Sequence, residues 1–151
     1  MIYAEIVHGL SGLENQFRIR NEVFVEEQGI AKELDQDGKD KECSHVLVFE
    51  DNQAVATGRV IDTDDGPLIG RIAVLKEHRG KQYGDLVVRK LVDFCFRQGE
   101  KTVKVHSQLH VLGFYEGIGF QVSGKEFLEN GISHINMFVT QDSFKTKCGG
   151  H

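Results

Sequence analysis

The segment EHRGKQYG, residues 77–84, places two glycines beside two cations, Arg79 and Lys81. Glycine lets a backbone approach a ligand closely, and cations attract an anion. The helix expected after this segment begins near Gln82, where the usual capping residues Ser, Thr, Asp and Asn are absent. Backbone N–H groups at such a helix start favour an anion. The segment is therefore either a cradle for a pyrophosphate or a plain turn between a strand and a helix.

Two familiar phosphate-binding motifs do not describe this segment. It lacks the Gly-Lys-Ser/Thr of a P-loop, and it does not carry the G-x-G-x-x-G fingerprint of dinucleotide-binding domains. Taken alone, a pattern this loose favours the plain turn with two solvated cations. The surrounding residues must therefore decide between the two interpretations.

Tyr115, in the segment GFYEGIGF, is a second residue that could do chemistry. A phenol has a pKa near ~10, so it stays protonated at neutral pH and can donate its proton to a leaving group. Outside any context, a partly buried aromatic ring with a satisfied hydroxyl is the simpler interpretation. The role of this tyrosine therefore also depends on its neighbours.

No metal site is expected from the acidic residues or the cysteines. The segment DQDGKD begins like a calcium loop at Asp35, but the twelfth position is Val46, where such a loop needs glutamate. A solvated acidic loop is favoured instead. Cys43, Cys95 and Cys148 lack the paired spacing of zinc ligands, and an odd, scattered set is typical of reduced intracellular thiols.

The whole chain has the composition of one globular domain. Its 151 residues are 40% hydrophobic and 27% charged, and a net charge of −5 argues against general nucleic-acid binding. No apolar run approaches the ~20 residues of a membrane-spanning helix, and the N-terminus lacks signal-peptide features. A cytoplasmic location without membrane association is therefore expected. We expect a single domain over residues 1–142 and a polar tail over residues 143–151.

Residue periodicity predicts the element order β-α-β-β-β-α-β-α-β-β, a mixed sheet with helices packed against it. The first helix is expected to begin at Ser11, with Glu14 completing a capping box. The fourth strand lies in the near-continuous apolar run LIGRIAVL and is expected to be buried on both faces, with Gly70 marking a bulge. The following helix is expected to end at Gly99.

Residues 71–84, followed by a helix, a strand and GFYEGIGF, resemble the GNAT-type N-acetyltransferase superfamily. In that superfamily an Arg/Gln-x-x-Gly-x-Gly/Ala loop holds the pyrophosphate of acetyl-CoA, and Arg79, Gln82 and Gly84 occupy the matching positions. Gln82 departs from the pattern because glycine usually stands there, although its backbone N–H remains available. The segments RNEVFVEEQG, SHVLVFE, GRIAVL and ENGISHINM are similar to a small bacterial ElaA-like branch, so the resemblance covers nearly the whole chain.

The resemblance implies an α/β (α+β) fold of the GNAT acyltransferase type. Its central mixed sheet would be mostly antiparallel, with six or seven strands flanked by helices and splayed between the fourth and fifth strands. The coenzyme arm would bond the backbone of the fourth strand, and Gln108 would bond this arm or be a plain polar residue at a strand end. The implied coenzyme A contacts are Ile72, Ala73, Val74, Arg79, Gly80, Lys81, Gln82, Tyr83, Gly84, Gln108 and Phe114.

The resemblance also implies roles in the reaction. Tyr115 matches the general acid that protonates the departing thiolate. A base must first deprotonate the acceptor ammonium, but the fourth strand, LIGR here, lacks the glutamate that some members use. Glu26 is ranked first as the base because it lies in the block EVFVEEQ, which matches the branch; water is the alternative. The other candidates for base or substrate contact are Glu27, His45, His106 and His134, although any single histidine is more often structural.

Two arginines complete the predicted substrate contacts. Arg20 and Arg71 would hold an acidic group of the substrate, or would simply pair with nearby carboxylates.

The implied function is acetyl-CoA-dependent transfer of an acetyl group to a primary amine of a small molecule or peptide, directly in a ternary complex. The alternative is a non-catalytic protein that keeps the acyl-CoA slot as a sensor or interaction module, and a different acyl-CoA donor is a third option. Acetyl-CoA is the co-substrate; no metal, nucleic acid or membrane partner is expected. The sequence leaves the oligomeric state open, with a homodimer as one option.

Overall fold

The computed structural model describes residues 1–145, which form a seven-stranded sheet flanked by helices. The spatial order of the strands is β1-β2-β3-β4-β5-β7-β6. β4 and β5 are parallel neighbours, and the other neighbouring strands are antiparallel. The strands are β1 Ile2–His8, β2 Ser44–Glu50, β3 Gln53–Thr63, β4 Gly66–Val74, β5 Thr102–Gln108, β6 Gln121–Glu129 and β7 Ile132–Thr140.

Within residues 1–145, four α-helices connect these strands, and the order is the predicted one except that a short second helix lies between the first helix and β2. They are α1 Glu14–Arg20, α2 Lys32–Asp35, α3 Tyr83–Arg97 and α4 Leu112–Ile118. A π-helical segment, Asn21–Glu27, continues α1, and 3-10 turns cover Gly9–Ser11, Asp40–Glu42, Lys76–His78 and Leu109–Val111. The predicted fold class, a mixed and mostly antiparallel sheet with flanking helices, is confirmed.

The predicted splay lies between β4 and β5. These strands pair only where Leu68 faces Lys104 and Ile69 faces Val105. β4 then runs on to Val74, still paired with β3, while β5 runs on to Gln108 paired with β7. Because neither strand has a partner on the facing edge beyond Ile69, a split opens in the middle of the sheet.

The fourth strand differs in two details from its prediction. Ile69 and Ala73 are buried, but Ile72 and Val74 are half-buried, because the open split leaves this part of the strand without a cover. The irregularity begins just after Gly70: the register against β3 shifts between Gly70 and Ala73, and Arg71 adopts a left-handed φ of 53°.

The first helix starts later than predicted. Ser11 belongs to the 3-10 turn Gly9–Ser11, and α1 begins at Glu14 after a cap residue that makes no side-chain bond. A Cβ at Gly9 would lie 2.0 Å from the carbonyl oxygen of Asp40, so the chain is held there by close packing onto a later turn. The expected capping box was wrong because this long-range contact fixes residues 9–12 outside the helix.

The α3 helix packs as its sequence pattern predicts. Val87, Val88, Leu91 and Val92 are fully buried against the sheet. A Cβ at Gly58 of β3 would lie 2.5 Å from Cγ1 of Val87, so glycine there permits the close approach of the helix. The α3 helix is therefore packed tightly against β3.

The last described residues pack on the domain. Phe144 meets the ring of Phe96 edge to face at 5.7 Å, and the Lys145 amide donates to the carbonyl of Ile118 at 2.8 Å. The remainder of the expected tail, with Cys148 and His151, lies outside the described residues. Within residues 1–145, no helix is long and apolar enough to cross a bilayer.

Candidate active site

An open groove of about 610 Å³ lies where the amino end of α3 meets α4. Many of the predicted coenzyme A contacts line it: Val74 at the end of β4, Arg79, Gly80 and residues 82–84 of the loop, and Phe114 of α4. Ile72 and Ala73 lie just before Val74, on the part of β4 that β5 leaves unpaired. The groove and the split in the sheet are therefore continuous through Val74.

Gln82 precedes the first residue of α3 in a left-handed conformation, with φ 64° and ψ 26°. Its side chain makes no capping hydrogen bond. A left-handed backbone costs an L-residue roughly 1–2 kcal/mol, whereas glycine adopts it freely. This conformation gives a physical reason why glycine is usual at this position in the Arg/Gln-x-x-Gly-x-Gly/Ala loop.

Arg79 is held by an ion pair on one side of the loop. Its guanidinium donates to both carboxylate oxygens of Glu27 at 2.6 Å, and its Nε donates to the carbonyl of Val74 at 3.1 Å. The hydrogen bonds from Arg79 lower the pKa of Glu27, and Glu27 raises that of Arg79. Glu27, a predicted substrate contact, thus ties the end of the π-helical segment to the loop.

Glu50, which sequence reasoning missed, anchors the other side of the loop. The Tyr83 hydroxyl and the Lys81 ammonium both donate to it, the latter at 2.9 Å, and Nδ1 of His78 lies 3.1 Å away. The bond from Tyr83, with that from Lys81, lowers the pKa of Glu50 to about 2. Lys81 therefore turns toward Glu50, and no local signal marks this glutamate because it stands 31 residues before Lys81.

The α3 wall of the groove carries a second charged pair that was not predicted. Arg89 and Asp85 both line the groove, and Nε of Arg89 donates to Asp85 at 2.8 Å. NH1 of Arg89 is buried and has no hydrogen-bond partner within residues 1–145. The i,i+4 spacing of these two residues is the sequence signal that could have revealed the pair.

Tyr115 is 9% exposed and lies in α4 between Phe114 and Gly117, which both line the groove. Its ring meets Phe114 at 5.0 Å and Phe120 at 5.5 Å, both edge to face. Within residues 1–145 its hydroxyl makes no hydrogen bond. Burial raises the pKa of Tyr115 to about 12, so the phenol is protonated at neutral pH.

The acidic loop on the other face of the sheet forms a buried ionic network. Arg20 contacts Asp40 at 2.6 Å and Asp35 at 3.2 Å, and Arg59 contacts Asp40 at 3.0 Å and Asp37 at 2.7 Å. Arg20, Asp35 and Asp40 are at most 4% exposed. The expectation of a solvated loop was wrong, and Arg20 pairs with carboxylates, the second of its two predicted roles.

His45 and Arg71 border the same network. His45 is 1% exposed, its Nε2 lies 2.9 Å from the carbonyl oxygen of Asp40, and burial lowers its pKa. A substrate contact of His45 does not fit this burial. Arg71 donates to the carbonyls of Leu34 and Asp35 at 3.1 and 3.2 Å, which fastens α2 to the irregular part of β4.

Glu26, the first-ranked base, is exposed and accepts a hydrogen bond from the Asn21 amide at 2.7 Å. Its catalytic role stays a prediction. Gln108 ends β5 opposite His134 in the register with β7. Among residues 1–145, no three His, Cys, Asp or Glu side chains are arranged to hold a metal ion.

The two remaining histidines meet around one glutamate. Nδ1 of His106 lies 2.9 Å from one carboxylate oxygen of Glu129, and Nε2 of His134 lies 3.6 Å from the other. The Phe127 ring contacts His106 edge to face at 5.2 Å and stacks on His134 at 5.9 Å. The structure therefore brings together two predicted residues from β5 and β7 with a glutamate from β6 that was not predicted.

Comparison with known proteins identifies one matching family and several sequence relatives. Residues 10–141 match the family model described as an acetyltransferase (GNAT) domain. The chain is 37% identical to YyaT of Bacillus subtilis over 128 residues, which cover 83% of this chain and 86% of YyaT. It is 30% identical to ElaA of Escherichia coli over 133 residues, which cover 85% of this chain and 87% of ElaA.

Solved structures share the same architecture. The crystal structure of Escherichia coli ElaA superposes with a TM-score of 0.80, covering 92% of this chain and 99% of that chain at 30% identity. A GNAT family acetyltransferase from Elizabethkingia anophelis, solved with acetyl-CoA bound, has a TM-score of 0.69 at 15% identity, with 92% and 97% of the two chains covered. The latter likeness shows the fold alone. The family match and the identity to ElaA together show that this chain belongs to the GNAT acetyltransferase family.

Proposed function

We propose that the protein transfers an acetyl group from acetyl-CoA to a primary amine of a small molecule or peptide. The observation that carries this proposal is the split after Ile69, whose free β4 edge leads through Val74 into the groove at the amino end of α3. Membership of the GNAT family supports an acyltransferase, and acetyl-CoA in the Elizabethkingia anophelis structure supports this donor.

The backbone of β4 is suited to bind the coenzyme arm. The arm is rich in amides, and a free strand edge at Ile72–Val74 can bond it as an added strand would. The amino end of α3 and Arg89, which lines the groove, then favour the pyrophosphate there, whereas the Arg79 guanidinium is already paired with Glu27. Asp85 in the same wall is already paired with Arg89, so the cation faces the groove in a fixed position.

Tyr115 is proposed as the acid that protonates the departing thiolate. Its neutral phenol is available because its pKa is raised to about 12 and its hydroxyl makes no hydrogen bond within residues 1–145. Edge-to-face packing against Phe114 and Phe120 holds the ring that carries this hydroxyl. The adjacent Phe114 lines the groove, which supports a position of the phenol near the coenzyme.

Direct transfer in a ternary complex is favoured over a thiol-bound acyl-enzyme. Cys43 and Cys95 are free, and they are 1% and 3% exposed. Burial raises the pKa of both thiols, that of Cys95 to about 12, whereas the nucleophile in such chemistry is a thiolate. Two unpaired thiols also support the proposed cytoplasmic location.

Two measurements test the proposed function in sequence. Titration calorimetry with acetyl-CoA tests the groove, and we expect saturable heat; no heat at millimolar acetyl-CoA would overturn the proposal. Release of coenzyme A thiol is then followed with putrescine, spermidine, glucosamine, L-lysine and a lysine-containing tripeptide. Turnover with any of these amines supports the transferase. Binding without turnover across the panel would instead favour a sensor that retains the acyl-CoA slot.

A further inference from the structure

His106 lies at the point where the split in the sheet begins. The last β4–β5 pair joins Ile69 to Val105, so Gly70 and His106 are the first residues after it on the two separating strands. The two strands are parallel there, and residues in register on neighbouring strands project to the same face. Gly70 and His106 are therefore neighbours across the opening of the split.

The face on which they lie follows from the register of three strands. Gly58 of β3 faces α3, and Val60, two residues further, shares its face and pairs with Ile69. Ile69 and Val105 consequently face α3, and the next residues, Gly70 and His106, face the opposite side. Arg59, which pairs with Gly70, contacts the acidic loop on that side. His106 thus shares the face of the α1–α2 segment.

Gly70 leaves room beside this histidine. A Cβ built at Gly70 would have no atom within 4 Å, so the space at the opening of the split is unfilled by protein within residues 1–145. The β4 segment there carries no carboxylate, and the first titratable side chain on the facing strand is His106, which is 35% exposed. Of the two strands that border this space, β5 is the one that offers a proton acceptor beside it.

Glu129 sets the orientation of the His106 ring. A carboxylate accepts hydrogen bonds, so the contact of 2.9 Å places the imidazole proton on Nδ1 and leaves a lone pair on Nε2. Nε2 of His134 lies 3.6 Å from the second carboxylate oxygen, beyond hydrogen-bond distance, and Nδ1 of His134 donates to the Ile132 carbonyl at 2.8 Å. Phe127 packs against both rings. This pairing of base and orienting carboxylate is the arrangement that general-base histidines require.

We propose that His106, positioned by Glu129, is the general base that deprotonates the acceptor amine, an inference that rests on the proposed function. The ammonium N–H bond breaks, its proton moves to Nε2 of His106, and the electron pair stays on nitrogen. That nitrogen bonds the thioester carbonyl carbon, the C–S bond breaks, and the thiolate takes the Tyr115 proton. The second proton lost from nitrogen restores the phenol, and His106 releases its proton to solvent, so each turnover frees one proton.

The test compares His106→Gln with two matched variants. With acetyl-CoA and the panel amine that gives the wild type its highest rate, we expect His106→Gln to lower kcat about 100-fold or more. The acetyl-CoA Kd should stay within about threefold, because the cluster is outside the groove. Glu129→Gln should lower kcat roughly 10-fold, as the loss of an orienting partner does. His110→Gln, an exposed histidine outside the cluster, should leave kcat unchanged.

Chemical rescue separates a catalytic from a structural role. Added imidazole should raise the kcat of His106→Ala at least about 10-fold and leave His110→Ala unaffected, since free imidazole can replace a base but cannot repair a fold. This inference alone would be overturned if the kcat of His106→Gln stayed within about threefold of the wild-type value. It would also be overturned if Glu26→Gln lost most of its turnover while His106→Gln did not. A wild type that binds acetyl-CoA without turnover would overturn the proposed function and the inference together.

Discussion

The groove at the amino end of α3 and the opposite side of the split are built in different ways. The groove comes mostly from one stretch between Val74 and Arg89, and its main feature is backbone conformation at the start of α3. The opposite side is assembled from distant side chains: Arg20 and Asp40 are 20 residues apart, and His106 and Glu129 are 23 apart. A local backbone feature leaves a pattern in the sequence, whereas a tertiary side-chain cluster leaves only scattered residues.

The charged pairs on the two sides also differ in how deeply they are buried. The Arg79–Glu27 pair of the loop is 40% and 36% exposed, whereas Arg20 and Asp35 are 1% and 3% exposed. Water can replace the partner of an exposed ion, but it cannot reach a buried one. Removing one side chain should therefore cost much on the buried side and little in the groove.

The largest effect is expected for Arg20→Met. Methionine fills much of the same volume but leaves Asp35 and Asp40 without this cation in the interior, so the free energy of unfolding should fall by about 3–5 kcal/mol. Urea unfolding at neutral pH measures the change. Arg97→Met is the matched control, because Arg97 is 78% exposed and its ion pair within residues 1–145 is with Asp93 on the helix surface. A loss below about 1 kcal/mol in Arg20→Met would contradict the comparison.

On the groove side, the largest expected effect is on turnover, and Tyr115→Phe tests it. It keeps the ring between Phe114 and Phe120 and removes only the hydroxyl, which makes no hydrogen bond within residues 1–145. We expect kcat to fall about 100-fold while the acetyl-CoA Kd changes by less than about threefold. Coenzyme A thiol release and calorimetry give the two values, and Tyr3→Phe on β1 is the control. Unchanged turnover would remove Tyr115 from the acid role.

Acid sensitivity should also come from the buried side. Hydrogen bonds from Arg59 hold the pKa of Asp37 well below its usual range. Burial raises the pKa of Asp40, but the hydrogen bonds and charges of Arg20 and Arg59 outweigh burial and leave that pKa lowered as well. A lowered folded-state pKa gives stability that is complete above the unfolded value near ~4 and is lost as the pH falls. Urea unfolding should therefore show a declining free energy below about pH 4.

Asp37→Asn isolates one contribution to this decline. At pH 7 it should lower the free energy of unfolding by about 1 kcal/mol, and it should make the decline below pH 4 shallower than in the wild type. Asp64→Asn, in an exposed turn, should reproduce the wild-type curve. Parallel curves for Asp37→Asn and the wild type would show that the network does not govern acid stability.

The sequence allowed prediction of whatever depends on neighbours along the chain. The element order and the bare start of α3 at Gln82 both follow from local residue types, and the structure contains each of them. The GNAT resemblance supplied the splay between β4 and β5, and the short pairing of these two strands confirms it.

Long-range packing decided what the sequence could not show. Ser11 and Glu14 have capping-box spacing, but the contact of Gly9 with Asp40 holds the chain out of the helix. The acidic loop was predicted to be solvated because its arginine partners lie far away in the sequence, on α1 and β3. The sequence does not identify Glu50 as an anchor of the loop, because its contact with Tyr83 forms only when β2 lies beside α3 in the folded protein.

Gln82→Gly has the smallest expected effect and tests whether the groove works through its backbone. Glycine relieves the left-handed strain at φ 64° but makes the unfolded chain more flexible, so the free energy of unfolding should rise by less than about 1 kcal/mol. The acetyl-CoA Kd should stay within about threefold. Gln82→Ala, which removes the amide but keeps the strain, should also retain binding. A weakening beyond about 10-fold in both variants would mean that the glutamine side chain holds the ligand, and the groove would then depend on side chains as the opposite side of the split does.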